Sequence, residues 1–243
     1  MSADQPTILA TSGGIKPGRR IRWEFAALMD HAVELSGVDG RAPRVCLLAT
    51  AMGDSPTIVA AFYEAAQQRG FAASHLSLVP MPNVDDVGGH LLGQDVVWVY
   101  GGSVAALLAL WRMHGVDAAM HDAWQAGVVL TGVSAGSICW HVGGTTDSFG
   151  PDLRPITSGL RFLPYSNGVH YDSEEQRRPL FQSLIAQGVL PAGYATDDGV
   201  GLLYRGTTMV AALTEIDGKG AYHVRRTDDG AAVETRLDTR QLK

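Results

Sequence analysis

The 243-residue sequence is poor in cysteine, in basic clusters and in long apolar runs, and each shortage removes a class of protein. Its two cysteines, Cys46 and Cys139, are too few and too far apart for a disulfide framework or a thiolate zinc site. Both sit in apolar surroundings and read as buried free thiols. Lys and Arg total 19 against 25 Asp and Glu, a formal charge of −6, and the basic residues never gather beyond pairs such as Arg19-Arg20 and Arg225-Arg226. That balance argues against nucleic acid or an anionic membrane as a partner. A membrane-spanning helix needs about 18 or more consecutive apolar residues, whereas the clean runs here, residues 96–100 and 128–130, are strand-sized. Residues 1–6 carry neither a basic nor an apolar leader segment, so a soluble, cytoplasmic globule without a secretory signal is expected. There is no H-E-x-x-H, no P-loop and no properly placed G-x-G-x-x-G, so neither a metal nor an organic cofactor is expected.

What is present is ample core: 46% of residues are apolar and only 18% charged, which excludes a disordered chain. Glycine, at 29 residues, is well above the usual ~7% and points to many tight turns and close backbone approaches. The first two-thirds alternate short strands with helices. Strands are expected at residues 7–11, 44–50, 76–79, 96–100 and 127–131. Ile21, Phe25, Leu28, Ala32 and Leu35 recur at helical spacing; further helices are expected from Thr57 to near Gly70, after Gly101-Gly102-Ser103, and over 117–126. Apolar runs buried on both faces and separated by helices are the pattern of a parallel sheet with crossovers. From Tyr194 onward short strands (199–204, 209–213, 221–224, 233–236) joined by Asp217-Gly218 and Asp229-Gly230 turns predict an antiparallel finish on the sheet edge. The expected fold is α/β, a doubly wound, mostly parallel sheet with antiparallel C-terminal strands, forming one domain over residues 1–243.

The sharpest chemical feature is Gly132-Val133-Ser134-Ala135-Gly136, a G-x-S-x-G directly after a buried strand and before helix-compatible residues. Flanking glycines permit the strained strand-to-helix turn that lifts a serine Oγ off the backbone, and the helix start adds partial positive charge where an oxyanion would form. A serine nucleophile needs a base, and the base needs an orienting carboxylate. His170 is the candidate base, with His141 and His223 as rivals; Asp147, Asp152, Asp197 and Asp198 are candidate acids. Gly101-Gly102, at the end of another parallel strand, can offer backbone N–H groups at the sheet end where ligands bind.

Tyr100-Gly101-Gly102, the Ser134 elbow, Thr145-Thr146-Asp147, Gly168-Val169-His170-Tyr171 and the stretch from Tyr194 through Asp197 and Asp198 together resemble the peptidase E (aspartyl dipeptidase)–cyanophycinase family of serine peptidases. The resemblance covers roughly residues 7–204. It implies a class I glutamine amidotransferase-like fold, Ser134 as nucleophile, His170 as base, Asp147 as orienting acid, and Gly102 and Ala135 N–H groups as the oxyanion hole. It also implies a small peptide as substrate, with N-terminal Asp-X as one candidate, and a possible homodimer. Aspartyl dipeptidases read the substrate aspartate through an arginine-bearing segment after the histidine. Here that segment, from Asp172 to Arg178, is shorter and acidic before it becomes basic, leaving Arg177 and Arg178 as substrate-binding candidates or as a solvated helix face. Two other readings share the motif: an α/β-hydrolase-type esterase pairing Ser134 with Asp197 or Asp198 and His223, and a non-catalytic glutamine amidotransferase-like module.

Overall fold

The structure, a computed structural model, describes residues 3–243. In chain order the first elements are β1 (Thr7–Thr11), β2 (Ile15–Pro17), β3 (Trp23–Phe25), α1 (Ala27–Leu35), β4 (Arg44–Leu48), α2 (Pro56–Arg69), β5 (Ala72–Leu76) and α3 (Val87–Leu92). Next come β6 (Val96–Val99), α4 (Val104–His114), α5 (Val116–Gln125), β7 (Val129–Val133), α6 (Ala135–Ile138), β8 (Gly143–Thr146), β9 (Arg154–Ile156) and β10 (Ser166–Gly168). The chain ends with α7 (Arg177–Ala186), β11 (Gly193–Thr196), β12 (Val200–Arg205), β13 (Thr208–Thr214), β14 (Ala221–Arg226), β15 (Ala232–Leu237) and β16 (Thr239–Gln241).

Two sheets carry the molecule. The larger runs β16-β13-β12-β1-β7-β6-β4-β5, parallel from β1 to β5 and antiparallel at β12 and β13. Successive strand residues point to opposite faces, and here both faces are covered. Ile8, Cys46, Leu48, Val97, Val99 and Leu130 pack with helices α4 and α5 on one side. Leu9, Val45, Leu47, Val96, Trp98 and Val129 pack with α1 and α2 on the other. Double coverage is why these strands read as unbroken apolar runs. No helix is long and apolar enough to cross a membrane among the described residues.

A second sheet, β15-β14-β11-β10-β8-β9, was not expected. The antiparallel finish is therefore divided: β12 and β13 extend the first sheet, while β14 and β15 pair beside β11 in the second. Helix α7 covers that second sheet through Phe181, Leu184 and Ile185, packed with Tyr171 and Val224. Two other expectations shift. Residues 21–26 are not helical, because Trp23 and Phe25 alternate inward from β3 against Trp98 and α1 begins only at Ala27. The strand expected at residues 76–79 lies earlier, at β5; after Leu76 the chain leaves the sheet, where Asp54 Oδ2 accepts the Val79 N–H at 3.0 Å.

Candidate active site

Strand β7 delivers Ser134 into a turn that few residues can make. Ser134 has φ 57° and ψ −114°, in the positive-φ region that costs a non-glycine residue about 1–3 kcal/mol. The surrounding packing enforces it. A Cβ on Gly136 would stand 2.2 Å from the Val99 carbonyl oxygen, and one on Gly132 would stand 2.4 Å from the Gly136 oxygen. Strand, turn and the start of α6 are thus pressed against β6 at a distance only glycine allows. Of residues 132–137, Ser134 alone is not buried. Its N–H donates to the Thr11 carbonyl at 3.1 Å, and its carbonyl accepts from Ser137 and Ile138, starting α6.

Gly101 lies against this serine, and Gly102 follows it in the chain. A Cβ on Gly101 would be 3.1 Å from Ser134 Cβ and 3.7 Å from its Oγ. Gly102 has φ +129°, and its position beneath the Ala51 carbonyl and Met52 Sδ leaves no room for a side chain. The Ser103 N–H donates to Ala51 at 2.8 Å and the Ser103 Oγ caps α4 by accepting the Ala106 N–H at 3.2 Å, which fixes the bend. Ala135 is the first residue of α6, so its N–H has no intrahelical acceptor.

His170 follows β10 by two residues and is itself at φ 52°. Its N–H donates to Ser12 Oγ at 3.2 Å, and Ser12 Oγ is 2.7 Å from Thr196 Oγ1. The Ser134 and His170 N–H groups are therefore held by consecutive residues, Thr11 through its carbonyl and Ser12 through its hydroxyl. Ser12 also accepts from the Gly199 N–H at 2.9 Å and donates its own to the Val200 carbonyl at 2.8 Å, bringing in the residues next to Asp198. Glu215 braces this loop: its carboxylate accepts the Gly14 N–H at 2.8 Å and the Leu28 N–H at 2.9 Å, serving α1, whose Ala26 N-cap has no side chain to do so.

The His170 ring is 2.6 Å, Nδ1 to Oδ1, from Asp198. That hydrogen bond is the main reason the Asp198 carboxyl is held below the usual carboxylate range. An ionised carboxylate only accepts, so Nδ1 carries the hydrogen, and in the neutral imidazole the lone pair then lies on Nε2. The Asp198 N–H in turn donates to Asp172 Oδ1 at 2.9 Å, and Asp172 Oδ2 is ion-paired with Lys219 Nζ.

Other expected site residues fall elsewhere. Asp147 is not the carboxylate on His170. It is exposed in the loop after β8, beside a cavity of about 490 Å³ also lined by Leu153, Glu174 and Gln176. The register explains the difference: β11 runs parallel to β10 with Ala195 opposite Gly168, so the residues just past β11 leave the sheet beside His170. Asp147 instead enters a turn whose Ser148 Oγ accepts the Ala105 N–H at the start of α4. Asp152 is exposed in the same loop. Asp197 is buried, which raises its pKa, and holds the Gly220 N–H at 2.9 Å and the Tyr222 hydroxyl.

Arg177 is neither a free substrate ligand nor a solvated face. It is 3% exposed, 2.7 Å from Glu174, and donates to the Thr145 carbonyl. Arg178 is ion-paired with Glu234 and lies over the Tyr222 ring at 4.9 Å. His141 is a core histidine between Ser137 O and Tyr204 Oη; burial lowers its pKa to about 4. His223 sits against the Tyr194 ring at 4.9 Å between centroids, opposite Tyr194 in the second sheet. Ser12, Asp172 and Lys219 carry no motif; Ser12-Gly13-Gly14 reads only as a turn after a strand.

Known proteins share this framework. The model of Peptidase family S51 matches residues 9–211. The "uncharacterized peptidase YgaJ" of Bacillus subtilis (strain 168) is 42% identical over 182 residues, 75% of this chain and 78% of that protein. Among solved structures, a putative peptidase E protein from Listeria monocytogenes EGD-e matches with a TM-score of 0.58 at 16% identity, over 96% of this chain and 98% of the other. A peptidase from an acI-B1 Actinobacterium matches at 0.64 and 14%, over 98% and 96%. Those two give the fold, class I glutamine amidotransferase-like, and the family match extends over most of the chain, which belongs to Peptidase family S51 and is a peptidase.

Proposed function

We propose that this peptidase is of the serine type and hydrolyses short peptides through an acyl-enzyme on Ser134. His170 Nε2 takes the Ser134 proton as Oγ attacks the peptide carbonyl. Asp198 holds the ring in the required tautomer and stabilises the imidazolium that forms. The Gly102 and Ala135 N–H groups receive the oxyanion; loss of one such donor typically costs about 10²–10³-fold in rate. His170 then protonates the leaving amine, and water repeats the sequence on the acyl-enzyme.

The observation that carries this reading is the shared anchor: Thr11 O on the Ser134 N–H and Ser12 Oγ on the His170 N–H, with Nδ1 of the same imidazole on Asp198. It supports a nucleophile and base held side by side at the carboxyl end of the parallel strands, where such sheets bind ligands. Both arginines after His170 are already engaged by protein groups, so the reading includes no preference for an acidic N-terminal residue.

The test is hydrolysis of a panel of X-Leu dipeptides, Asp-Leu included, by wild type, Ser134→Ala and His170→Ala, with fluorophosphonate labelling of the folded protein. Turnover of neutral X-Leu peptides that falls at least 10³-fold in both variants, with the label on Ser134, is expected. Turnover surviving in Ser134→Ala, or no label on Ser134, refutes the serine mechanism. Turnover confined to Asp-Leu refutes the specificity reading.

A further inference from the structure

Behind the imidazole a charged chain continues past Asp198 to two residues that the reaction scheme does not use, Asp172 and Lys219. It runs from His170 Nδ1 to Asp198 Oδ1 at 2.6 Å, from the Asp198 N–H to Asp172 Oδ1 at 2.9 Å, and from Asp172 Oδ2 to Lys219 Nζ. Lys219 arrives from the opposite side of the sequence, on the turn between β13 and β14. Asp197 grips that turn at both ends of one residue: its N–H donates to the Gly220 carbonyl at 3.0 Å and its Oδ2 accepts the Gly220 N–H at 2.9 Å. The lysine is therefore brought to Asp172 by a built contact rather than by a free surface arm.

The geometry points to Asp172 and Lys219 as a positioning pair for His170: Asp172 fixes the backbone of the orienting acid, and Lys219 balances the charge that Asp172 brings. Three carboxylates, Asp172, Asp197 and Asp198, lie within this one corner, and Lys219 is the cation among them. Other polar groups in the corner are the Ser173 side chain on Asp198, the Tyr222 hydroxyl on Asp197 and the Arg236 guanidinium, which donates to the Gly218 carbonyl at 2.8 Å. Glu174, whose N–H donates to the His170 carbonyl, is turned to Arg177, and Glu234 to Arg178 and Tyr171. Burial works against ionisation of Asp172, but Lys219 and the Asp198 N–H outweigh it and hold its carboxyl below the usual range.

A positioning pair of opposite charges makes a signed prediction that a structural brace does not. Removing Lys219 leaves an unbalanced carboxylate near the imidazole, favours the imidazolium and raises the His170 pKa. Asp172→Asn keeps an oxygen for the Asp198 N–H but leaves Lys219 unbalanced, and lowers it. The shifts expected of a partly exposed pair are about 0.2–0.7 pH unit each, shrinking in 1 M salt.

The proposal rests on the serine-peptidase reading for its rate consequences, so two readouts are taken. The first is the acid limb of kcat/KM for a neutral dipeptide in wild type, Lys219→Met, Lys219→Arg and Asp172→Asn. The second is the His170 Cε1 proton titration by NMR, assigned by its loss in His170→Asn, which requires no turnover. Expected are an upward shift in Lys219→Met, a downward one in Asp172→Asn, wild-type behaviour in Lys219→Arg, and near cancellation in the double variant. Shifts of the same sign, or lowered melting temperatures with an unmoved titration, overturn the pair. Failure of the serine mechanism is read separately, from activity surviving in Ser134→Ala, and leaves the NMR comparison intact.

Discussion

Asp198→Asn set beside Asp147→Asn separates the two carboxylates that could orient the base. Asparagine fits the Asp198 site but can present its NH₂ to Nδ1, which then has to accept. The imidazole proton moves to Nε2, the atom that must take the Ser134 proton. In well-ordered serine hydrolases that tautomer error lowers kcat by about 10⁴-fold. The Asp198 side chain is 38% exposed, so water competes for Nδ1 and a smaller loss is expected, about 10²–10³-fold in kcat/KM, or about 2.7–4 kcal/mol of barrier. Asp147 is exposed in the loop after β8, and its asparagine variant is expected within about twofold of wild type, the scale of a surface change. The assay is steady-state hydrolysis of a neutral X-Leu dipeptide at pH 7.5, with circular dichroism to show that both variants are folded. An Asp147→Asn loss as large as that of Asp198→Asn refutes the assignment.

Two predictions concern stability. His141 is buried with its pKa lowered to about 4, so the unfolded chain binds a proton there as pH falls below 6.5 while the folded protein does not. Stability therefore falls across the window from pH 6.5 toward 4, by at most about 2 kcal/mol between pH 7 and 5; urea titrations should show that increment diminished in His141→Gln, and an unchanged increment contradicts it. Gly136→Ala drives a Cβ into the Val99 carbonyl at 2.2 Å and should cost about 1–3 kcal/mol, read as a melting temperature lower by about 3–10 °C; an unmoved transition shows that the elbow can relax.

The first sheet was legible because burial on both faces writes itself as apolar runs: β4 and β6 are apolar throughout except for Arg44. The second sheet was not, because its central strands are Gly-Gly-Thr-Thr, Ser-Asn-Gly and Gly-Tyr-Ala-Thr, with no apolar alternation to read. Their glycines answer to close contact instead: a Cβ on Gly143 would stand 1.8 Å from the Ile156 oxygen, and one on Gly193 would stand 2.1 Å from the Ser166 oxygen. The same blindness hid which carboxylate bonds His170. Ser134 has a local signature, but which aspartate meets His170 depends on the β10–β11 register, a contact between segments 28 residues apart.

The acid's location follows from how the two sheets are joined. Ser134 ends a strand of the first sheet, and His170 follows a strand of the second. Asp198 lies in the three-residue crossing from β11 in the second sheet to β12 in the first. That crossing is pinned on both sides: Asp197 holds Gly220, and Gly199 and Val200 bond the Ser12 backbone. A carboxylate there is fixed relative to both the base and the nucleophile, since Ser12 also holds the His170 N–H and follows the residue that holds Ser134. The loop carrying Asp147 and Asp152 runs from β8 to the edge strand β9 of the second sheet, and its Ser148 Oγ meets the start of α4. With Asp198 at the junction, the spacing of Ser134 and His170 depends on contacts between the sheets, so Ser12→Ala, which removes the hydroxyl that holds the His170 N–H, should lower kcat.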